Sequence, residues 1–394
     1  MRLNRAAIIL FFAICAICNR ALAQSSGATG FNLIVVGDTQ PQTEEQITRL
    51  EREILPEIEA IIREYDTSDT TPEAVLLTGD VVWDTMPYLP RVKAMFESLG
   101  VELFTVIGNH DYDRTIVGNE PRAMRQYRRC FGRPYRATTL GNPRLILLDN
   151  ILYTSYDDYS IGIDRRQMRW LRRTIRRTPE QMTLAIAMHA PATDFRTGEL
   201  LPYAHEIIAM AEGRELHLIT GHRHQNTTHY INPTTTEHSV AQVNGNLWFA
   251  PLCVDGTPRG VLRIEERDAE WSWQFHALGH EAEYQMKAYP MGSVAGCEEY
   301  IVVKIWGWDD RWSVTYSEAA SEPKAMEQIA IYDPDYIDYV ENVADYPAII
   351  MERLRHSAQR TAHYFRIKPT SGSGRGTITA TDAFGRSYSL SIDY

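Results

Sequence analysis

Aspartate, histidine and asparagine residues recur in short groups along the first two thirds of the chain. The groups are Gly37-Asp38-Thr39-Gln40, Gly79-Asp80, Gly108-Asn109-His110-Asp111, the single His189, and Gly221-His222-Arg223-His224. Carboxylate oxygens, an amide oxygen and imidazole nitrogens, with no thiolate among them, are ligands that suit Mn, Fe or Zn. Two such ions can share one bridging carboxylate and act together on a phosphate group. The groups therefore predict a centre for two metal ions.

Each group taken alone has a simpler interpretation. Asp80 could cap a helix or sit in a turn, and His189 could be a hydrogen-bonded core histidine. The Asn and Asp of residues 108–111 are also common in turns after a strand. The prediction of a metal centre rests on the ordered set of groups and not on any one of them.

The segments before these groups are apolar runs typical of buried strands. They cover residues 31–36, 74–77, 101–107, 182–188 and 216–220. Helical periodicity lies between most of them; Thr43 can cap a long amphipathic helix in which Ile47, Leu50 and Ile54 share one face. The carboxyl ends of such strands meet at one edge of a sheet, so an α/β fold would bring the groups together.

The residue pattern of the sequence changes after about Gly245. Helical periodicity fades, and short runs typical of strands dominate, among them a hairpin pattern over residues 376–382 and 388–392. This pattern predicts a small β-sandwich as a second domain. The predicted division of the chain is an α/β domain over residues 31–250 and a β-rich domain over residues 251–394.

The order of the groups resembles the calcineurin-like metallophosphoesterase superfamily over residues 31 to about 250. The resemblance implies a four-layer α-β-β-α sandwich with the site at the strand ends. It implies that Asp38 and His224 bind one metal, that Asn109, His189 and His222 bind the other, and that Asp80 bridges the two. It also implies that His110 protonates the leaving oxygen or stabilises developing charge, with Asp111 orienting its ring.

Two positions depart from the pattern of that superfamily. Its first motif usually reads Asp-x-His, whereas this chain has Gln40 at the histidine position. The amide oxygen of glutamine is a weaker and harder ligand than imidazole, so the first metal would be held less tightly or would be Mn by preference. Trp83 stands three residues after Asp80, where purple acid phosphatases carry a metal-ligating tyrosine. Tryptophan has only an N–H donor and cannot ligate, which argues against that branch.

The second half has a resemblance of its own. Segments 255–260, 284–286 and 381–385 look like the C-terminal domain attached to secreted bacterial calcineurin-like phosphoesterases. The resemblance implies no function for this domain. Its tryptophans are interpreted as core residues of a small sandwich in preference to a ligand surface.

The N-terminus has the pattern of a secretory signal. Arg2 and Arg5 precede a short apolar run over residues 6–18, and Ala21-Leu22-Ala23 fits a cleavage site. The sequence therefore predicts a signal peptide over residues 1–23, a periplasmic or secreted protein, and no transmembrane anchor after cleavage; an uncleaved anchor is the alternative.

Three cysteines would remain after cleavage, namely Cys130, Cys253 and Cys297. The sequence leaves open whether two of them form a disulfide.

Composition limits the partners. The formal net charge of the 394 residues is −11, which disfavours a nucleic-acid polymer or an anionic membrane but not a small phosphorylated substrate beside bound cations. The arginines between Arg165 and Arg177 could form an anion site, although a solvated helix face is favoured.

The sequence thus predicts an enzyme that hydrolyses phosphate esters with metal-activated hydroxide and two divalent or trivalent ions. Mono- and diester substrates both remain open, with a nucleotide or pyrophosphate-type phosphodiesterase as one alternative. A non-catalytic cell-surface binding protein with a vestigial site is the other.

Overall fold

The computed structural model describes residues 30–65, 73–155, 157–194, 197–267, 270–318 and 321–394. The predicted signal peptide, residues 1–23, lies outside these ranges. None of the helices in the described ranges is long and apolar enough to cross a membrane. Strands are numbered β1–β21 and helices α1–α9 along the chain.

The first sheet has five strands in the order β13-β12-β1-β2-β3. Their bounds are β1 Gly30–Val36, β2 Glu73–Leu77, β3 Glu102–Thr105, β12 Gly260–Arg267 and β13 Glu270–Ala277. β1, β2 and β3 are parallel, while β12 pairs antiparallel with β1 and with β13. The carboxyl ends of the three parallel strands therefore share one edge of the sheet.

The second sheet has six strands in the order β10-β11-β9-β8-β5-β4. Their bounds are β4 Arg136–Thr139, β5 Arg144–Leu147, β8 Leu184–Ala187, β9 Leu216–Thr220, β10 Thr227–Asn232 and β11 Thr235–Ser239. The four central strands are parallel, and the edge strands β4 and β10 run antiparallel to them. A separate hairpin is formed by β6 Ile151–Ser155 and β7 Asp158–Ile161.

The two sheets pack face to face with helices on both outer sides. Because successive strand residues point to opposite faces, Leu33 and Val35 lie between the sheets, while Ile34 and Val36 pack against the outer helices. The outer helices of the first sheet are α1 Glu44–Arg49, α2 Leu55–Tyr65, α3 Leu89–Glu97, α4 Glu120–Ala123 and α5 Arg125–Phe131. Those of the second sheet are α6 Arg165–Arg177 and α7 Pro202–Met210. The predicted four-layer α-β-β-α sandwich is confirmed.

The helix predicted after Thr43 forms as expected. The Thr43 side chain accepts a hydrogen bond from the amide of Gln46 at 3.2 Å, which satisfies a donor that the first turn leaves free. A π-helical turn over Leu50–Ile54 joins α1 to α2. The apolar positions of the sequence pattern, Ile47 to Ile61, are buried against the first sheet.

The C-terminal part contains two further four-stranded sheets, in the orders β14-β15-β19-β18 and β17-β16-β20-β21. The strands are β14 Met286–Tyr289, β15 Ile301–Ile305, β16 Ser313–Glu318, β17 Lys324–Ala325, β18 Glu327–Tyr332, β19 Arg360–Ile367, β20 Arg375–Thr381 and β21 Ser387–Asp393. Val303 and Phe365 of one sheet share a core with Ile378 and Ile392 of the other. The prediction of a C-terminal β-sandwich is confirmed, and β20 and β21 form the predicted hairpin.

The first sheet continues beyond residue 250, where the sequence analysis divided the chain. β12 and β13 extend this sheet to Ala277, with β12 paired to β1 along six residues. Leu262, Ile264, Trp271 and Trp273 therefore pack between the first two sheets and not in the C-terminal sandwich, while Val261 packs on the outer side of the first sheet. The division at residue 250 falls inside the first layered unit of the structure.

Two helices of the C-terminal part return toward the first domain. They are α8 Pro334–Asp338 and α9 Ala348–Ser357. The hydroxyl of Tyr339, between them, donates to the carbonyl of Phe249 at 2.9 Å, and the Asn246 amide donates to Ser357 Oγ at 2.6 Å. These contacts place α9 and the segment before it beside the loop that follows β11. In the described ranges Cys130, Cys253 and Cys297 are free thiols, and the last two are buried.

Candidate metal centre

The loops after five parallel strands carry the predicted ligands to one place. Asp38 and Gln40 follow β1, Asp80 follows β2, Asn109 and His110 follow β3, His189 follows β8, and His222 and His224 follow β9. Strands of both sheets contribute, so the site lies where the edges of the two sheets meet. The structure brings all eight of these side chains into one cluster through the contacts given below.

Asp80 lies at the middle of the cluster and is 1% exposed. Its Oδ2 accepts a hydrogen bond from Gln40 Nε2 at 2.7 Å. Its Oδ1 accepts from the amide of His110 at 2.9 Å and lies 3.4 Å from His189 Nε2. The two oxygens of Asp80 thus face different groups of neighbours.

One group of neighbours consists of Asn109, His189 and His222. His189 Nε2 lies 3.1 Å from Asn109 Oδ1 and 3.1 Å from His222 Nδ1. The other ring nitrogen of His189 lies 2.8 Å from the carbonyl of Thr78, so it carries the proton and donates it there. Loss of the proton on Nε2 would present a lone pair to the cluster, the arrangement that orients histidine metal ligands. Ligand atoms of Asp80, His189 and His222 all lie within 4.8 Å of one another.

The other group consists of Asp38, Gln40 and His224. Asp38 Oδ2 lies 3.0 Å from His224 Nε2, and it accepts a hydrogen bond from the amide of His222 at 3.1 Å. Gln40 Oε1 is buried and meets no hydrogen-bond donor among the residues that the structure describes. A buried amide oxygen without a donor is costly unless a cation or water satisfies it. The residues present therefore fit a metal centre, and the oxygen of Gln40 is available to a cation there.

The backbone of the site is held in an unfavourable conformation. Seven non-glycine residues in the described ranges have a positive φ, and five of them lie here: Gln40, Asp80, Asp84, His222 and His224. The left-handed region costs a non-glycine residue about 1–3 kcal/mol, and such strain clusters at functional sites. The packing of the two sheets holds these five residues in place.

Two glycines allow the loops to approach one another closely. A Cβ atom on Gly221 would lie 2.6 Å from Asp38 Oδ1, and one on Gly108 would overlap the amide and carboxylate of Asp80. Any larger residue would push the ligand loops apart. The glycines of the sequence groups are therefore needed for close approach as well as for the turn.

The electrostatics of the cluster favour a cation. Burial disfavours the charged form of His189, yet the Asp80 carboxylate outweighs it and raises the pKa of that imidazole to about 10. Burial and the neighbouring His189 lower the pKa of His222 to about 3. Burial would also raise the pKa of Asp80, but His189 and His110 hold it far below its ordinary value. The cluster thus stabilises positive charge at its centre and keeps its second imidazole neutral, as a metal ligand must be.

The carboxylate that orients His110 is Asp84, not Asp111 as the sequence analysis predicted. Asp84 Oδ1 lies 2.9 Å from His110 Nδ1. Asp111 is fully buried and points away from the ring; it accepts hydrogen bonds from the amides of Gly108 at 2.9 Å and Val82 at 3.2 Å. Burial and the Asp80 carboxylate raise the pKa of Asp111 to about 7. Asp111 therefore shapes the loop, because the 3-10 turn over Asn109–Asp111 turns its side chain back toward the backbone.

Two further residues stack beside His110; the sequence analysis considered Trp83 only as a residue that cannot bind a metal, and it did not identify Arg353. The Trp83 ring stacks on the His110 ring with 4.1 Å between ring centroids. The guanidinium of Arg353, on α9, lies over the Trp83 ring, with 4.6 Å from Cζ to the ring centroid. Asp84 could have been found as a second carboxylate close after Asp80, whereas no local pattern around Arg353 points to the site.

Comparison with protein families agrees with this arrangement. Residues 31–226 match the family described as calcineurin-like phosphoesterase, and residues 237–388 match the C-terminal domain of the same family. The chain belongs to the calcineurin-like phosphoesterases. The predicted superfamily with an added C-terminal domain is confirmed, and phosphoester hydrolysis is the class of activity of this family. No curated protein sequence matches the chain.

Several solved structures are similar to this calcineurin-like phosphoesterase at low identity. The purple acid phosphatase PPD1 of yellow lupin has a TM-score of 0.41 at 10% identity, covering 71% of this chain and 51% of its own. The 5'-nucleotidase of Candida albicans has a TM-score of 0.37 at 10% identity, covering 63% and 52%. The phosphopantetheinyl hydrolase of Mycobacterium tuberculosis has a TM-score of 0.35 at 12% identity, covering 55% and 91%. The chain thus spans about half the length of the first two, and the likeness is too weak to bear on substrate.

Proposed function

We propose that this chain hydrolyses phosphate esters at a centre of two metal ions. The observation that carries the proposal is the position of Asp80 between two groups of donors. Asn109, His189 and His222 would hold one ion, Asp38, Gln40 and His224 the other, and Asp80 would bridge them. These donors suit Mn, Fe or Zn. Ions bound there would supply a nucleophile from water at neutral pH and neutralise the phosphoryl oxygens.

His110 is the group proposed to act on the leaving oxygen. Its imidazole is 15% exposed, so it borders the solvent-accessible side of the cluster, and its Nδ1 is held by Asp84. An imidazole oriented by a carboxylate presents its other nitrogen in one direction and can donate a proton from it. Trp83 covers one face of the ring and excludes water from that side. The roles are proton donation for His110 and positioning for Asp84 and Trp83.

The same geometry serves phosphate monoesters and diesters, because both reactions develop charge on the leaving oxygen. A nucleotide or pyrophosphate-type diester remains the alternative within this class. The vestigial binding protein of the sequence analysis is disfavoured by the His110–Asp84 pair, which a non-catalytic scaffold would not need.

The test is hydrolysis of bis-p-nitrophenyl phosphate and p-nitrophenyl phosphate by metal-stripped protein reloaded with Mn. We expect the unchanged chain to hydrolyse at least one ester. The variant Asp80→Asn should have little activity and bind less Mn, whereas His110→Ala should turn over slowly with nearly unchanged Mn content. Faster hydrolysis of the diester would direct the substrate search to nucleotides and lipid head groups; preference for the monoester would indicate a scavenging phosphatase. Two bound ions with no turnover of either ester would refute the proposal.

A further inference from the structure

The helix α6 carries seven arginines and no acidic residue between Arg165 and Arg177. This concentration of positive charge stands out in a chain whose net charge is −11. The sequence alone favours a solvated helix face. The structure adds arginines from other elements to one side of this helix.

Six arginines line a single cavity of about 630 Å³ between α6, β4 and the start of β5. No aspartate or glutamate is among its lining residues. The arginines come from the loop before β4, from both strands and from the helix: Arg133, Arg136, Arg144, Arg166, Arg173 and Arg177. We call this cavity the arginine groove.

The guanidinium groups of the groove are largely uncompensated. Arg133, Arg166, Arg173 and Arg177 form no ion pair with any residue in the described ranges. Arg144 binds Thr139 Oγ1 through one terminal nitrogen at 3.2 Å, but its buried Nε has no hydrogen-bond partner there. Like charges that converge without counter-charges repel one another, so the arrangement costs stability unless an anion binds.

Aromatic and backbone contacts hold the groove in shape. The rings of Tyr135 and Trp170, which line it, pack against each other with centroids 5.0 Å apart. Arg136 donates to the carbonyl of Phe131 at 3.2 Å, and its guanidinium lies over the Phe104 ring at 5.9 Å. These contacts fix part of the positive surface before a ligand arrives, which reduces the ordering cost of binding.

The groove is separate from the metal centre. Arg144 begins β5, whereas the metal centre lies beyond the carboxyl ends of the parallel strands. Arg177 ends α6, which returns antiparallel to the strands on the outer face of the second sheet. Arg136, which pairs with the last residue of β5, and Arg166, in the first turn of α6, extend the groove toward the opposite end of these elements. A ligand in the groove therefore lies along the outer face of the second sheet and shares no residue with the metal centre.

We infer that the arginine groove binds a chain-like anion with several closely spaced phosphate groups. A guanidinium presents paired N–H donors that match two phosphate oxygens, and several of them in one concavity match several phosphates. A flat anionic membrane fits less well, because the groups converge into a cavity and its aromatic rings pack against each other. The site would retain the phosphoesterase on a phosphate-rich polymer while leaving the metal centre free.

The probe is a methylene-bridged triphosphonate, a short phosphate-like chain that resists hydrolysis. It is titrated by calorimetry into three Mn-loaded proteins. These are the unchanged full chain, the groove variant Arg173→Gln/Arg177→Gln and the control variant Arg169→Gln/Arg176→Gln. The control removes the same charge from the same helix at arginines outside the groove. All three proteins keep the metal centre, so binding or metal chelation there is common to them. All four arginines are exposed, so the substitutions leave the fold intact.

We expect the groove variant to lose roughly tenfold or more in affinity, since charge-assisted hydrogen bonds are strong, while the control loses little. Affinity should also fall steeply between about 50 and about 200 mM salt. Hydrogen exchange should slow on triphosphonate binding over residues 133–144 and 166–178. Equal affinities in all three proteins, or no protection of those segments, would overturn the inference. So would binding of the wild-type chain to vesicles of anionic phospholipid without binding to triphosphonate, which would assign the groove to a membrane.

Discussion

Arg353 stacks its guanidinium on Trp83 with 4.6 Å from Cζ to the ring, and Trp83 stacks in turn on His110. The first residue belongs to α9 in the C-terminal part, and the second to the loop after β2. The C-terminal part therefore reaches the proposed proton donor through two consecutive ring contacts. This gives it a place beside the metal centre that its own sequence does not suggest.

Replacement of Arg353 by alanine should lower turnover without removing metal. Loss of an exposed cation–π contact costs about 0.5–1 kcal/mol, which corresponds to a roughly threefold fall in kcat if the contact positions Trp83 and His110. The measurement is kcat and KM for p-nitrophenyl esters, with Mn content determined in parallel. Arg355→Ala is the matched control, because Arg355 lies on the same helix and pairs with Glu341 instead. Equal kcat in the two variants would show that α9 does not position the site.

The two carboxylates near His110 should respond differently to amide substitution. Asp84→Asn removes the charge that orients the imidazole, and we expect kcat to fall on the order of a hundredfold with little change in stability. Asp111→Asn replaces an acceptor of two buried amides, and we expect a loss of about 1–3 kcal/mol of unfolding free energy. Urea unfolding and kcat measured on both variants separate the roles. A large kcat loss in Asp111→Asn with unchanged stability would restore the original assignment.

The strand ends were predictable because glycine and polar residues interrupt apolar runs at Gly37, Gly79, Gly108 and Gly221. Parallel pairing then brings such ends together whatever the details of the loops. The partner of His110 was not predictable, since sequence adjacency favoured Asp111 while the 3-10 turn directs that side chain to backbone amides. The pairing of strands that are far apart in the sequence was equally unpredictable, as in the addition of β12 to β1. The role of Arg353 depends on the docking of α9, which no local pattern encodes.

Asp149 should make the protein less stable as pH rises through the neutral range. Its buried carboxyl accepts from Tyr112 OH at 3.1 Å, and burial raises its pKa to about 8. The unfolded chain loses this proton near pH 4 and the folded chain near pH 8, so the folded state holds the extra proton between these values. Stability from this group is therefore present at low pH and is lost as pH rises toward about 8, at about 1.4 kcal/mol per pH unit.

The variant Asp149→Asn tests this dependence, because asparagine stays neutral and retains an acceptor for Tyr112. We expect the unfolding free energy of the variant minus that of the wild-type chain to increase at each step from pH 5 to pH 7. Urea unfolding at three pH values measures the difference. A constant offset between the two proteins across this range would show that Asp149 is already ionised in the folded state.

Lys304 is a fully buried cation in the C-terminal sandwich, 0% exposed on β15. It donates to the carbonyl of Asp255 and to Asp333 Oδ2, the latter at 3.2 Å. Asp333 also accepts from Tyr364 OH and caps α8 through Tyr336, whose amide donates to Asp333 Oδ1 at 2.6 Å. One buried lysine thus links the loop at residue 255 to the start of α8, the helix that precedes α9 and its Arg353.

The substitution Lys304→Met should destabilise the chain by about 3–5 kcal/mol, because it leaves the Asp333 carboxylate buried without its counter-charge. Lys287→Met is the matched control: Lys287 pairs with Asp335 and is 41% exposed, and loss of such a pair costs at most about 1 kcal/mol. Urea unfolding followed by tryptophan fluorescence measures both. The double substitution Lys304→Met/Asp333→Asn should recover part of the loss, since it removes the unpaired charge as well. Equal unfolding midpoints for Lys304→Met and Lys287→Met would mean that water or another group satisfies Asp333, and the link between the sandwich and α8 would then not depend on this ion pair.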